Sequence, residues 1–146
     1  MAYDSTGIDV NNDNIPDFYI VIDVGTISWL FILPANYTEF AINTNSNPTL
    51  FDQFNLSEPI SETNNWDFNR RYIMTSDITG MYIQTIITTN NGDGACILGL
   101  RIYDDTNYNY NYAWVKLDFN ILTHEVTVIE STYNTTPNQP ILAGKK

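Results

Sequence analysis

Hydrophobic residues recur at every second position along most of this chain, and no stretch shows the three-to-four-residue interval of an amphipathic helix. In FYIVIDV, Phe18, Ile20, Ile22 and Val24 fall on one face of an extended strand, and Tyr19, Val21 and Asp23 on the other. ISWLFIL follows across Gly25-Thr26, a two-residue link that predicts a hairpin. It ends at Pro34, which has no amide hydrogen to give a ladder. YTEFAIN, residues 37–43, alternates again. Residues 44–71 are the least regular part and read as long loops with room for a short helical turn. MYIQTIITT and ACILGLRIY flank NNGDG, whose Asn and Gly tolerate positive φ, so a second hairpin is predicted there. YAWVKLDFNI, a short turn at residues 122–124, and EVTVIESTY complete the pattern. Nine or ten short strands without a linker predict one all-β domain over residues 1–146, an antiparallel β-sandwich or jelly roll.

At 146 residues such a domain can bury a substantial core. Its charge narrows the partners: 17 acidic residues against 6 Lys and Arg give −11. Nucleic acid is excluded, because a protein that binds phosphate backbones needs a basic face. No segment reaches the roughly 18 apolar residues of a membrane span, so membrane insertion is not expected. Polarity comes instead from nineteen Asn and seventeen Thr, a composition associated with extracellular bacterial β-proteins.

Cys96 is the single cysteine, so no internal disulfide forms, and its apolar setting GACILGL predicts a buried thiol. The opening MAYDSTGIDV has neither the basic start nor the apolar stretch of a signal peptide. An exported protein would therefore be represented here by its mature part, and an extracellular or cell-surface location is the expectation taken.

Residues 9–17, DVNNDNIPD, hold three aspartates and three asparagines. Oxygen ligands at alternate positions are what a loop winding around a hard cation requires, so Asp9, Asn11, Asp13 and Asp17, with the Ile15 carbonyl, form a candidate calcium site. Asn14 stands at the sharp-turn position, where Gly is usual and Asn is next best. The strict octahedron of magnesium fits less well, and no His or Cys invites a transition metal. An EF-hand would place Glu at the twelfth position, where Ile20 stands within a strand, so the expectation is a free-standing structural calcium loop. A solvated Asn/Asp turn is the alternative.

YNYNYAW places Tyr108, Tyr110, Tyr112 and Trp114 on one strand face. Such a row can stack on sugar rings, and it marks a candidate glycan-binding surface; the plainer alternative is that Val115, Leu117 and Phe119 fill the core while the tyrosines cover a sheet surface or a loop. Trp29 and Trp66 are further candidate platforms. Asp93 and the pair Asp104-Asp105 could supply a second cation site, though a hairpin turn and a surface loop are the plainer explanations. His124 reads as a solvated turn residue. A glycosidase needs two carboxylates about 5 to 9.5 Å apart, and none of Glu39, Glu58, Glu62, Glu125 and Glu130 sits in a local motif for one.

Two segments at opposite ends carry a resemblance. GIDVNNDNIPDFYI is similar to an opening of the form iDxNxDGxxDF, and YAWVKLDFNILTHEVTVIESTYNTTPNQPILAG to a closing YGWVxL…VTVxxxxYN…PgqPIxAG. GLRIYDD matches a Gly-x-Arg strand placed shortly before the second segment. Together they resemble a recurrent domain of secreted bacterial proteins, chiefly from Bacteroidota. The chain departs from that pattern at Asn14 and Ala113, where Gly is usual, and its middle third is unmatched. The resemblance implies an extracellular β-rich module, often joined to export or surface-anchoring sequences, and implies no reaction.

The expected function is a non-catalytic, calcium-stabilised surface module for adhesion or glycan binding, with a glycan or a surface protein as partner. A self-associating subunit of an extracellular fibre, sheath or surface layer is the alternative, and a glycoside-active enzyme stands third.

Overall fold

The computed structural model describes residues 2–24, 27–45, 50–69, 71–77, 83–85, 95–120 and 125–146. They form, in chain order, β1 (Ala2–Ile8), β2 (Phe18–Val24), β3 (Ile27–Pro34), β4 (Thr38–Asn43), β5 (Leu50–Phe51), β6 (Pro59–Ile60), β7 (Trp66–Asp67), β8 (Arg71–Asp77), β9 (Ile83–Thr85), β10 (Ala95–Asp104), β11 (Asn109–Asn120), β12 (Glu125–Tyr133) and β13 (Ile141–Leu142). No described residue is helical, so the helical turn allowed for in residues 44–71 is replaced there by β5, β6 and β7, of two residues each.

The fold is an all-β antiparallel sandwich. One sheet runs β1-β2-β3-β8-β9 and the other β12-β11-β10-β4-β5, with β7 also paired to β4; β13 and β6 make a separate ribbon. β1 has no apolar alternation in its sequence AYDSTGI, which is why periodicity overlooks it. It is an edge strand held by a full register against β2, from Ala2↔Val24 to Ile8↔Phe18.

The hairpin expected around NNGDG does not hold for the described strands. β9 pairs with β8 in the first sheet, whereas β10 lies between β11 and β4 in the second. The chain crosses between sheets there, and residues 86–94, Asp93 among them, lie outside the described residues. Residues 25–26 and 121–124, which include His124, lie outside them too.

Burial explains the layering. Phe18, Ile20 and Ile32 of the first sheet meet Phe40, Leu98, Leu100, Val115 and Leu117 of the second, with Cys96 sealed among them. Burial pushes the Cys96 thiol up to about 12. Successive strand residues point to opposite faces, and the second sheet buries its other face as well. There Ala41, Ile97, Tyr112 and Trp114 pack under Phe54, Ile60 and Ala143 from the irregular middle segment and the C-terminus. Gly99 is required at this contact: a Cβ on it would lie 2.8 Å from Phe54 Cε2. The second sheet is thus the middle layer of three.

Trp114→Ala is therefore expected to lower stability in urea unfolding by about 3–5 kcal/mol, the range for emptying a buried aromatic site. An outcome near zero would mean that the outer layer contributes no core.

Candidate functional site

One end of the sandwich gathers most of the chain's unusual loops. The β1–β2 loop (residues 9–17), the β3–β4 turn (35–37), the β10–β11 turn (105–108) and Phe68 after β7 all emerge there. Backbone bonds tie them together: Asp17 N donates to Ile8 O at 2.8 Å, Ala35 N to Asp17 O at 2.9 Å, and Tyr103 N to Tyr37 O at 3.1 Å. The Asn36 amide also donates to Pro16 O.

The aspartate loop folds on its own carboxylates. Asp9 accepts from the amides of Asn12 (2.7 Å), Asp13 (3.3 Å) and Asn14 (2.8 Å). The Asn11 side-chain oxygen accepts from Asp13 N at 3.1 Å, and Asp13 Oδ1 from Ile15 N at 2.8 Å. Asn12 and Asn14 take positive φ, 62° and 69°, the conformation Asn tolerates better than most residues. At the loop's start Gly7 makes room for Pro16, whose Cγ would lie 2.8 Å from a Cβ there.

Asp17 closes the loop from inside. It is 1% exposed, and its Oδ2 accepts from Val10 N at 2.7 Å and more distantly from Asn11 N at 3.4 Å. Burial raises its carboxyl to about 6; the charges of Asp13 and Asp9 add to this, and the two amides oppose it.

The donor set is all oxygen, the chemistry of a hard cation. Three of the roughly four acceptor positions on the Asp9 carboxylate are already engaged. Among the described residues no three carboxylate, imidazole or thiol groups lie close enough to hold one ion. The loop is thus shaped by its amides, and a cation would have to draw the carboxylates inward. Asp104 caps the β10–β11 turn, accepting from Thr106 N (2.9 Å), Asn107 N (3.2 Å) and Asn107 Nδ2 (2.7 Å), which holds its carboxyl below the ordinary value. A cavity of about 400 Å³ separates Asp13 and Asp17 from Asp104 and Asp105.

The aromatic row divides. Trp114 is 0% exposed and donates Nε1–H to Lys145 O at 2.8 Å. Tyr112 is buried beside it, so neither can meet a sugar: their side of β11 is the inner face of the outer core. Tyr108, 81% exposed, precedes the strand in the turn, with φ 56°. Tyr110, on the same face of β11, is half-buried and packs against the edge of that core. Trp66, a further candidate, is half-buried against Tyr112, with ring centroids 5.8 Å apart, and donates to Ser61 O.

A different set of aromatics surrounds an open cleft of about 360 Å³ at the same end. Tyr37, Phe68, Tyr103 and Tyr110 line it together with Asn36 and Glu39. Glu39 is held by Arg101 Nε at 2.5 Å. The Arg101 guanidinium lies 3.9 Å from the Tyr110 ring centroid and 5.0 Å from that of Trp66. Of this cleft, the sequence marks Tyr110 as a candidate platform and Glu39 as a candidate carboxylate, but not Tyr37, Phe68 or Tyr103. Asn36-Tyr37 behind Pro34 marks a turn, but no pattern in the sequence marks Tyr37 or Phe68 as exposed.

No family model matches the chain, and no curated protein or solved structure matches it.

The burial of Asp17 has a pH consequence. Between its ordinary value of 3.8 and about 6, the folded carboxyl keeps a proton that the unfolded chain has lost. Its contribution to stability is therefore present in full below 3.8 and disappears as pH rises through about 6. In a chelating buffer, wild type should lose stability across that window relative to Asp17→Asn, whose amide still offers an oxygen to Val10 N. Parallel stability–pH curves for the two proteins would refute the assignment.

Proposed function

We propose that the chain is a non-catalytic, extracellular β-sandwich module, stabilised by calcium at residues 9–17, that works in adhesion or glycan binding at a cell surface. The observation that carries this reading is the gathering at one end of an all-oxygen aspartate loop and exposed aromatic rings. Tyr37 and Phe68 are each 67% exposed, in a protein that fully buries a ring as large as Trp114. Loops carried on a rigid scaffold are the usual seat of recognition, and exposed apolar rings rimmed by polar groups favour binding over folding as their role.

The charge fits the same reading. A chain at −11 offers cations a favourable field, and a cation beside Asp17 would offset both its burial and the charges of Asp9 and Asp13. Among the described residues no helix is long and apolar enough to cross a membrane. The non-catalytic part of the proposal draws support from Glu39, the one carboxylate among the residues lining the cleft, which is engaged by Arg101.

The alternative, a self-associating subunit of a fibre or surface layer, is favoured by one feature. β1 and β12 are the edge strands of the two sheets, and between them Ile8, Ile20, Ile22, Val126 and Val128 line an opening of about 310 Å³. Sedimentation and electron microscopy with and without calcium separate the readings: ordered polymers favour the fibre, and a monomer in both conditions excludes it.

Calcium added to chelator-treated protein should raise the melting temperature by several degrees, at about 2–4 °C per kcal/mol for a chain near this size. Magnesium should do much less, and Asp13→Ala should abolish the calcium effect. No shift with either ion would remove calcium from the proposal.

A further inference from the structure

We infer that the cleft framed by Tyr37 and Phe68 is the saccharide site, and that its ligand is a neutral glycan which places about one or two pyranose rings between these side chains. This rests on the glycan-binding reading above and gives it a place, residues and a ligand class.

Tyr37 provides the first reason. The β3–β4 turn closes through a bond from Thr38 N to Ala35 O at 2.9 Å, with both central residues left-handed: φ is 47° at Asn36 and 59° at Tyr37. Asn tolerates this, but a bulky aromatic does not, and such a backbone carries strain. The ring is not buried in return, since Tyr37 is 67% exposed. Its edge-on contact with Tyr103, at 6.3 Å between centroids, sets it upright as one wall. Phe68, equally exposed, lines the same cleft, and Tyr103 and Tyr110, 5.1 Å apart, complete the aromatic lining. Aromatic faces of this kind match the C–H faces of a pyranose, and about 360 Å³ lies at the small end of ligand sites.

The polar groups suit hydroxyls. Asn36 offers an amide and Glu39 a carboxylate oriented by Arg101. Thr38, lining the same cleft, has a buried hydroxyl without a hydrogen-bond partner, a deficit a ligand hydroxyl can fill. A proline-rich peptide also packs on aromatic grooves, but its rings would leave these groups unmatched.

Charge decides between neutral and acidic sugars. Among the described residues, the cation Arg101 beside the cleft is bound by Glu39 and lies against the rings of Tyr110 and Trp66. Asp13, Asp17, Asp104 and Asp105 line the neighbouring cavity, which shares Asn36, Tyr37 and Tyr103 with the cleft. A uronate, sulfate or phosphate would meet repulsion there, whereas an uncharged sugar would not.

The test is a glycan array followed by calorimetry on the full chain, with cellohexaose, xylohexaose and mannohexaose as neutral probes, oligogalacturonate as the acidic one and decaproline as the peptide. Tyr37→Asn keeps a residue suited to the left-handed turn, and Phe68→Ala removes an exposed ring, so both should fold as wild type does. Each is expected to weaken binding of a neutral probe at least about tenfold, while Tyr108→Ala leaves it within about twofold. Glycan binding that survives both substitutions overturns this site and leaves the glycan-binding reading standing. A wild-type chain that binds no glycan overturns both. Preference for oligogalacturonate or decaproline overturns the ligand class.

Discussion

The structure depends on β10 and β11 being buried on both faces. They pair without a break from Ala95↔Asp118 to Asp104↔Asn109, and Gly99 stands opposite Trp114. The empty face of Gly99 is filled by Phe54 and Ile60. The largest fully buried side chain among the described residues thus sits across from a residue with none, and the space is taken up by a third layer. Backbone bonds fasten that layer to the sheet and to itself: Phe54 N to Ile97 O at 3.0 Å, Ser57 N to Ala143 O at 2.8 Å, and Ala143 N to Glu58 O at 2.9 Å. Segments too irregular to form a sheet of their own are ordered because they complete the packing of one. Burial of apolar area, not local preference, fixes their shape.

The same layering carries forward to the cleft. Arg101 and Glu39 are register partners of β10 and β4, on the side of the sheet that the third layer covers. The rings of Trp66 in β7, which pairs with β4, and of Tyr110 in β11 both lie against the guanidinium. Ion pairing, stacking and partial burial therefore meet in a single side chain that joins core to rim. An exposed pair of this type would contribute little. Here the gain is positional, because the carboxylate and the Tyr110 ring are fixed by a residue that is itself clamped.

The legible parts of the sequence were those where one face is apolar and the other polar. β2 and β4 were found in that way, and an antiparallel sandwich followed from them. β10 and β11 were recognised as strands, but their double burial was not, since a run such as ACILGL says only that water is excluded, not what excludes it. For that reason Tyr112 and Trp114 could be read as a platform when they are core. β1 was hidden for the opposite reason: an edge strand facing solvent needs no apolar period, and its pairing comes from a neighbour 10 residues away at the Ile8↔Phe18 end and 22 at the Ala2↔Val24 end. Asn and Gly in NNGDG signal a turn at residues 90–94, which lie outside the described residues, and a turn residue fixes local φ without choosing which sheet the next strand joins. The aspartate loop was legible in its composition and in its Asn turns, because the bonds its own side chains accept span only two to seven residues. The cleft was not, since Tyr37, Phe68, Tyr103 and Tyr110 come from four separate segments.

The loop and the cleft are neighbours through the chain as well as in space. The β3–β4 turn that presents Tyr37 hangs from the aspartate loop by two bonds, Ala35 N to Asp17 O and the Asn36 amide to Pro16 O. Its far side is held by Tyr103 N on Tyr37 O. A left-handed Asn-Tyr pair persists only where its surroundings over-determine it, and these three bonds are those surroundings. Whatever stiffens residues 9–17 therefore stiffens the wall of the cleft, and whatever loosens Asp17 releases Ala35 with it. On the proposed reading, a cation bound by the loop would pre-organise the aromatic wall without touching the ligand. Its effect on affinity would come from reducing the ordering that binding otherwise requires. In a chain this rich in Asn and Thr, hydrogen bonds of this kind are what hold a strained turn in place at the surface.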